Sequence, residues 1–294
     1  MRYINFCIFI LLLFNSCQTD LDYSIKGYTQ KIIVEGYISN DEYPKVYLTL
    51  NIPLSQRFDS SIIYKNVIRF AKVTISDSLN PNAIGAKTEI LTSAWESEKR
   101  LFPPYKYFGT KYKGEEGKIY YLTVDYSGYT LKAQTTIPFK THIDKFSTKP
   151  VIGNDTLREL FMTFDVNSYL KNSYRVYTYK KKDGYFKETQ YLYNSKFTLN
   201  GSNTFSISPS VSRIDSSYSE GGYFVKGDTI QVRLCTIDSV STQFFKKLTI
   251  LSSSNGIGNN FLIGEKESLK SNISYPGFGI WYGNGVSSYI VVIP

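Results

Sequence analysis

The sequence has few of the side chains that enzymes most often use for catalysis and for binding metals. It holds 1 His in 294 residues, so a zinc site with two histidines and an HExxH helix are both excluded. A Ser–His–Asp triad would have to use His142, yet no serine lies in a GxSxG motif. Calcium loops of the DxDxDG type and glycine-rich phosphate loops are also missing. The sequence therefore predicts no catalytic residues, no metal site and no cofactor, and so a protein that is not an enzyme.

Cysteine is almost as rare, because the chain contains only 3 of them. Cys7 falls inside an apolar stretch near the amino terminus, and Cys17 follows that stretch closely. If the stretch is removed and Cys17 is modified, Cys235 has no partner, and no disulfide can form within the mature chain. Cys235 lies in a predicted strand, where an isolated cysteine is usually a small buried apolar residue.

The sequence also lacks long apolar runs. The one apolar run that stands out is short and lies near the amino terminus. Arg2 is followed by the uninterrupted apolar run from Phe6 to Phe14 and then by two small polar residues before Cys17. This run is too short to cross a bilayer, which takes roughly 20 residues, and its pattern is that of a cleaved secretory signal. We predict a signal peptide at 1–16 and no membrane-spanning segment after it.

A cysteine directly after a small residue at the cleavage point resembles a bacterial lipobox. In that pattern the cysteine becomes the first residue of the mature protein and carries lipid. We therefore predict lipidation of Cys17, a lipid anchor in the membrane and a short tether at 17–28. Phe14 departs from the pattern, because leucine is usual at its position. The alternative is an ordinary secretory signal in which the cysteine is incidental.

Positive charge dominates the sequence without being concentrated in any one segment. The formal net charge is +9, but the lysines are scattered and no long basic run occurs. Nucleic-acid binding uses a concentrated basic face. The sequence therefore predicts no nucleic-acid partner.

The pattern after residue 28 predicts a mainly β fold. The chain holds 26 Tyr and 19 Phe, and aromatic residues favour strands. Ser127-Gly128 and Asp183-Gly184 each join two alternating segments, which is a strong hairpin signal. Short strands separated by turns predict two β-sandwich-like units, and the N-terminal unit resembles transthyretin-like or immunoglobulin-like sandwiches.

The boundary between these units is predicted at residues 139–145, where the strand pattern pauses. This gives an N-terminal β-sandwich domain at 29–139 and a β-rich C-terminal domain at 140–294. Within the second domain, apolar residues at helical spacing predict one amphipathic helix near 239–253. The Ser- and Asn-rich piece at 200–220 is predicted to be a loop.

Two aromatic clusters are candidates for ligand or partner binding, because they fall in segments that we predict to be loops. The second cluster lies in the Gly-rich segment 271–283, ahead of a predicted final strand at 288–293. Aromatic rings stack on sugars and anchor protein partners, although they can equally pack the loops themselves. The candidates are Trp95, Tyr105, Tyr107, Phe108, Phe278, Trp281 and Tyr282.

The order of several motifs resembles that of a known family, the DUF4249 lipoproteins of Bacteroidota. After the lipobox, the matching motifs are IIVEGYIS, KVYLTL, AKVTISD, GKIYYLTVDYSGYTLKAQTTIP, GDTIQVRLCTIDSVSTQFFKKL and SNISYPGFGIWYGNGVSS. They cover most of the chain in the same order, and each is structural rather than catalytic. The resemblance implies a TonB-dependent outer-membrane receptor as a partner and brings no established chemistry.

These features predict a non-enzymatic accessory lipoprotein, anchored in the outer membrane, that assists a TonB-dependent receptor in nutrient binding or uptake. One alternative is a surface structural or adhesive lipoprotein. Another is a carboxylate-dependent glycan hydrolase, which needs two acids at roughly 5–10 Å. Asp20 and Asp22 form a weak version of the acidic surface-export signal of Bacteroidota lipoproteins. The sequence is therefore compatible with a location at the cell surface or at the periplasmic face of the outer membrane, and it does not identify the ligand.

Overall fold

A computed structural model describes residues 29–52, 60–96, 103–166, 172–192, 201–209, 222–253 and 269–294. The predicted signal peptide, Cys17 and the tether lie outside the described residues. The helices are α1 (Ser60–Lys65) and α2 (Ser239–Ser253). The strands are β1 (Ile32–Ser39), β2 (Lys45–Leu50), β3 (Lys72–Ser76), β4 (Thr88–Ile90), β5 (Thr92–Trp95), β6 (Tyr105–Phe108), β7 (Ile119–Tyr126), β8 (Tyr129–Thr136), β9 (Lys145–Val151), β10 (Asn154–Asp165), β11 (Ser173–Lys180), β12 (Lys187–Leu192), β13 (Ser202–Ile207), β14 (Phe224–Val225), β15 (Thr229–Ile237) and β16 (Phe278–Val292).

Eight strands form one large sheet, in the order β12-β11-β15-β16-β1-β2-β6-β5. Near its centre β1 and β16 run parallel, and Glu35 lies opposite Ile280. β16 also pairs with β15, in an antiparallel arrangement. Strands from before and after the predicted domain boundary at 139–145 therefore lie side by side in one sheet.

One face of the large sheet packs against two smaller sheets. β4, β3, β7 and β8 form the first, and its Val73 and Leu122 share a core with Val34 of the large sheet. β9, β10, β13 and β14 form the second, and its Leu160 shares a core with Val232 of the large sheet. Burial of apolar side chains between such layers is the main force that holds them together. The prediction of a mainly β, sandwich-like fold is confirmed.

Helix α2 packs on the opposite face of the large sheet. Successive residues of a strand point to opposite faces, so Trp281 joins the core of the first small sheet while Ile280 contacts the helix side. Phe244 and Phe245 of α2 are buried against that side. The Asp238 carboxylate caps the helix by accepting a 2.7 Å hydrogen bond from the backbone N–H of its third residue. The predicted amphipathic helix is thus confirmed.

Both predicted hairpins are also confirmed. Ser127 and Gly128 join β7 to β8 with φ angles of 49° and 82°. Gly184, with a φ of 76°, lies in the connection between β11 and β12. Tight turns of this kind need residues with positive φ, and glycine adopts positive φ readily, so a glycine between two strand patterns predicts a turn.

The prediction of a loop in the Gly-rich segment near residue 280 is wrong, because β16 begins at Phe278. Gly279 has a φ of 131°, and a Cβ there would overlap the carbonyl oxygen of Val34 in β1. A Cβ at Gly283 would overlap the carbonyl oxygen of Thr136 at the end of β8. Glycine permits these close backbone approaches. The glycines therefore let β16 lie tightly between neighbours from the N-terminal half of the chain.

The loop predicted at 200–220 is also wrong for its described part. β13 pairs with β10, and Phe205 lies opposite Met162. Only Phe205 and Ile207 are apolar in β13, so its alternation is too weak to be recognised without its partner. Residues 210–221 lie outside the described residues.

Candidate functional site

A groove lies between helix α2 and the large sheet, and it is the best candidate for a binding site. Its volume is about 620 Å³, which falls within the range of about 300–1,000 Å³ that is usual for small-molecule sites. β1 and β16 form its floor, α2 forms one wall, and β11 and β12 carry its polar end. We call it the α2 groove.

Most of the lining of the α2 groove is apolar. Phe244 and Leu248 lie one helical turn apart on α2, and this spacing places both on the face toward the sheet. Leu248 is 43% exposed, so it stands at the open edge of the groove rather than in the core. The apolar residues that line it include Ile33, Phe244, Phe245, Leu248, Phe278 and Ile280.

A partly buried ion pair forms the polar end of the α2 groove. Nε and Nη2 of Arg175 donate hydrogen bonds of 2.8 and 2.7 Å to the two carboxylate oxygens of Glu188. Nη1 of Arg175 donates a 2.9 Å hydrogen bond to the hydroxyl of Tyr282. The Phe245 ring centroid lies 4.0 Å from the guanidinium carbon, a cation–π distance. Arg175 is therefore held on several sides by groups that fix its orientation.

The two members of this ion pair differ in their access to the groove. The side chain of Arg175 is 10% exposed, whereas that of Glu188 is 36% exposed. Burial raises the pKa of the Tyr282 hydroxyl well above its usual value, so this group is neutral at physiological pH. Glu188 is thus the more solvent-exposed member of the pair.

The structure separates the three aromatic candidates of the second unit. Phe278 lines the α2 groove, and Tyr282 lies next to it through its contacts with Arg175 and Phe245. Trp281 points to the other face, where it is fully buried and its Nε1 donates to the carbonyl of Tyr120. All three lie in β16, so the prediction that they belong to a loop is wrong.

The candidates of the first unit lie in β5 and β6, not in a loop as predicted. Trp95 is 54% exposed and meets Tyr105 edge to face, with ring centroids 5.4 Å apart. Tyr107 is buried, and its hydroxyl donates to the carbonyl of Ile68. Phe108 is half-buried in β6 next to Lys106. None of these four candidates is among the described residues that line the α2 groove.

Arg175 and Glu188 are central to the α2 groove, yet the sequence pattern did not single them out. The hairpin of β11 and β12 was predictable, but its register shifts by one residue after Val176. Because a bulge re-aims the side chains beyond it, the pairing of Arg175 with Glu188 cannot be read from the alternation. The one available signal is an arginine within a tyrosine-rich strand, next to Tyr174 and Val176.

Other chemically notable side chains have ordinary surroundings. Cys235 is free and buried, and burial raises its pKa to about 12, which disfavours the reactive thiolate. His142 is exposed, with Nδ1 2.8 Å from the hydroxyl of Tyr289. Glu115 lies in an exposed turn, where hydrogen bonds from Lys118 and Lys87 lower its pKa to about 2. Within the described ranges, no cluster of His, Cys, Asp and Glu could hold a metal ion, and no helix is long and apolar enough to span a membrane.

Comparisons with known proteins give no assignment. No family model matches the chain, and no curated protein matches it. The resemblance to the DUF4249 lipoproteins therefore stays a prediction from the motifs.

Proposed function

We propose that the protein is a lipid-anchored accessory lipoprotein of the outer membrane that binds an apolar nutrient in the α2 groove. In this proposal it assists a TonB-dependent receptor and catalyses no reaction. The observation that carries the proposal is the groove itself, an apolar cleft of about 620 Å³ with one polar end. A mostly apolar cleft with a few fixed polar groups is the usual form of a small-molecule binding site.

The state of the polar groups favours binding over hydrolysis. A glycosidase needs one carboxyl group that can donate a proton and a second carboxylate that acts as base or nucleophile. Both oxygens of Glu188 accept hydrogen bonds from Arg175. Such a bidentate contact occupies both oxygens and fixes the orientation of the carboxylate, so Glu188 suits an orienting role better than a catalytic one.

A substitution that fills the α2 groove tests the binding role. Replacing Leu248 with tryptophan puts a large ring at the edge of the cleft, and we expect the affinity for the neutral apolar dye Nile red to fall at least about tenfold. Val240→Trp is the matched control, because Val240 is 49% exposed on the same helix and lies outside the groove. Equal binding by wild type and Leu248→Trp, or no binding of the dye by wild type, would contradict the proposal.

The anchor and the partner are tested in cells. We expect Cys17→Ala to move the protein from the detergent phase to the aqueous phase, because a lipid chain on Cys17 is the predicted membrane attachment. The wild-type protein should co-purify with a TonB-dependent receptor from outer membranes. Unchanged partitioning of Cys17→Ala would overturn the anchor.

A deletion that weakens attachment but leaves nutrient uptake intact would favour the adhesive alternative.

A further inference from the structure

We infer that the α2 groove selects an amphiphile with an apolar chain and a cationic ammonium group, rather than a fatty acid or another anion. This inference rests on the proposed binding function and specifies its ligand. It follows from how the two members of the Arg175–Glu188 pair are exposed and hydrogen-bonded. The side chain of Glu188 is 36% exposed and that of Arg175 only 10%.

The guanidinium of Arg175 is already engaged by the protein. Glu188 accepts from its Nε and Nη2, Tyr282 accepts from its Nη1, and the ring of Phe245 covers one face. An anionic head group would have to displace Glu188 from a bidentate contact, which is among the strongest hydrogen-bonded pairs in proteins. The pair therefore disfavours a carboxylate or phosphate ligand at this end of the groove.

The carboxylate of Glu188 keeps capacity for a donor from a ligand. A carboxylate offers about four acceptor sites, and Arg175 uses one site on each oxygen. An ammonium group has three donors and no acceptor, so it matches a partly filled carboxylate. A hydroxyl can donate to the same site, but without the attraction between opposite charges.

The formal charges of the lining residues also disfavour an anionic ligand. Its charged lining residues, among those that the structure describes, are Glu35, Arg175 and Glu188. Their formal charges are two negative and one positive, whereas the whole chain has a formal net charge of +9. These described lining residues therefore supply no excess of positive charge that would attract an anion.

The geometry defines the chemistry of the ligand and leaves two sources for it. An alkylammonium group occurs on free amphiphiles, and the same group forms the head of ethanolamine lipids in membranes. In either case the chain would lie against the apolar lining formed by Phe244, Leu248 and Phe278. The ammonium group would lie at the end occupied by Glu188.

The test compares three ligands that share one chain. Dodecylamine, dodecanol and dodecanoate, each as monomers at neutral pH, are titrated against full-length wild-type protein carrying Nile red. We expect dodecylamine to displace the dye at a concentration at least about tenfold lower than dodecanoate, with dodecanol between them. The advantage of the amine should shrink as salt is added, because salt screens partly exposed charges.

Two variants locate the selectivity. Glu188→Gln and Glu35→Gln should each reduce the advantage of dodecylamine over dodecanol. If Glu188→Gln fails to fold, Glu35→Gln and the ligand series on wild type still decide the question. Vesicles of phosphatidylcholine with and without phosphatidylethanolamine separate the sources, since displacement of Nile red only by ethanolamine vesicles identifies a membrane lipid.

Each outcome separates this inference from the function on which it rests. Binding of dodecanoate as tight as that of dodecylamine overturns the ammonium selectivity but keeps the groove as a binding site. If none of the three ligands and not even the dye binds, both the inference and the proposed binding function fail. A strong preference for the amine that persists unchanged in both glutamine variants would also overturn the assignment to these carboxylates.

Discussion

Replacing Trp281 with alanine is expected to lower the free energy of unfolding by about 3–5 kcal/mol. Trp281 has an exposed fraction of 0% and lies in the core that joins the large sheet to the first small sheet. Its removal leaves a cavity and takes away the 3.1 Å hydrogen bond from Nε1 to the carbonyl of Tyr120. Urea unfolding followed by far-ultraviolet circular dichroism measures the change without relying on tryptophan fluorescence.

The chain supplies its own control for this experiment, because it has 2 Trp in all. Trp95 is 54% exposed, at the edge strand β5. Trp95→Ala therefore removes an equal side chain from a site where little burial is lost, and we expect a change of about 1 kcal/mol or less. If the two substitutions cost the same, Trp281 is not the core residue that the structure places between the two sheets.

Local features of this fold were predictable from the sequence. The Ser127-Gly128 turn, the hairpin around Gly184 and the capped helix after Asp238 each depend on residues that are near one another in the chain. Their signals are backbone requirements, such as positive φ and a free acceptor for helix N–H groups, which belong to particular side chains. Such features can be read without knowing the tertiary structure.

Features that join distant segments could not be predicted in the same way. The parallel pairing of β1 with β16 brings Val34 next to Gly279, and nothing in either segment alone specifies that partner. The Gly-rich stretch looks like a loop until this neighbour is known, because glycine serves turns and close strand approaches equally well. The opposite directions of Trp281 and Tyr282 also depend on β16 being a strand.

Some of the residues at the α2 groove could be singled out from the sequence, whereas others depend on contacts between distant segments. Phe278 and Tyr282 were candidates as aromatic residues of a predicted loop, and both lie at the groove although the segment is a strand. Arg175 and Glu188 depend on a register shift between β11 and β12, which the sequence does not reveal. The polar end of the candidate site is therefore the part that needed the structure.

Glu188→Ala is expected to destabilise the protein by about 3 kcal/mol, the second large effect. The substitution leaves the guanidinium of Arg175, with its side chain 10% exposed, without its carboxylate partner. A buried charge that loses its partner keeps the cost of desolvation and loses the attraction that offset it. Chemical unfolding of the variant measures this loss, and Glu188→Gln should cost less, because the amide oxygen still accepts one hydrogen bond.

Glu115→Ala is the control, because it removes the same side chain from an exposed ion pair. Glu115 contacts Lys87 and Lys118, and all three side chains are between 42% and 48% exposed. Its pKa of about 2 shows favourable contacts with both lysines, and a lowered carboxyl pKa adds stability above the unfolded pKa that is lost as the pH falls toward 2. Solvent and salt screen such exposed pairs, so we expect a loss below about 1 kcal/mol that shrinks further in high salt.

The loss for Glu188→Ala should instead change little with salt, because the guanidinium that it leaves unpaired is buried. This contrast in salt dependence separates the cost of an unpaired buried charge from the loss of a surface contact. A loss for Glu188→Ala that is as small and as salt-sensitive as that for Glu115→Ala would mean that Arg175 reaches water when Glu188 is removed. The polar end of the α2 groove would then be adaptable rather than fixed, and the argument that Arg175 is unavailable to an anionic ligand would fail with it.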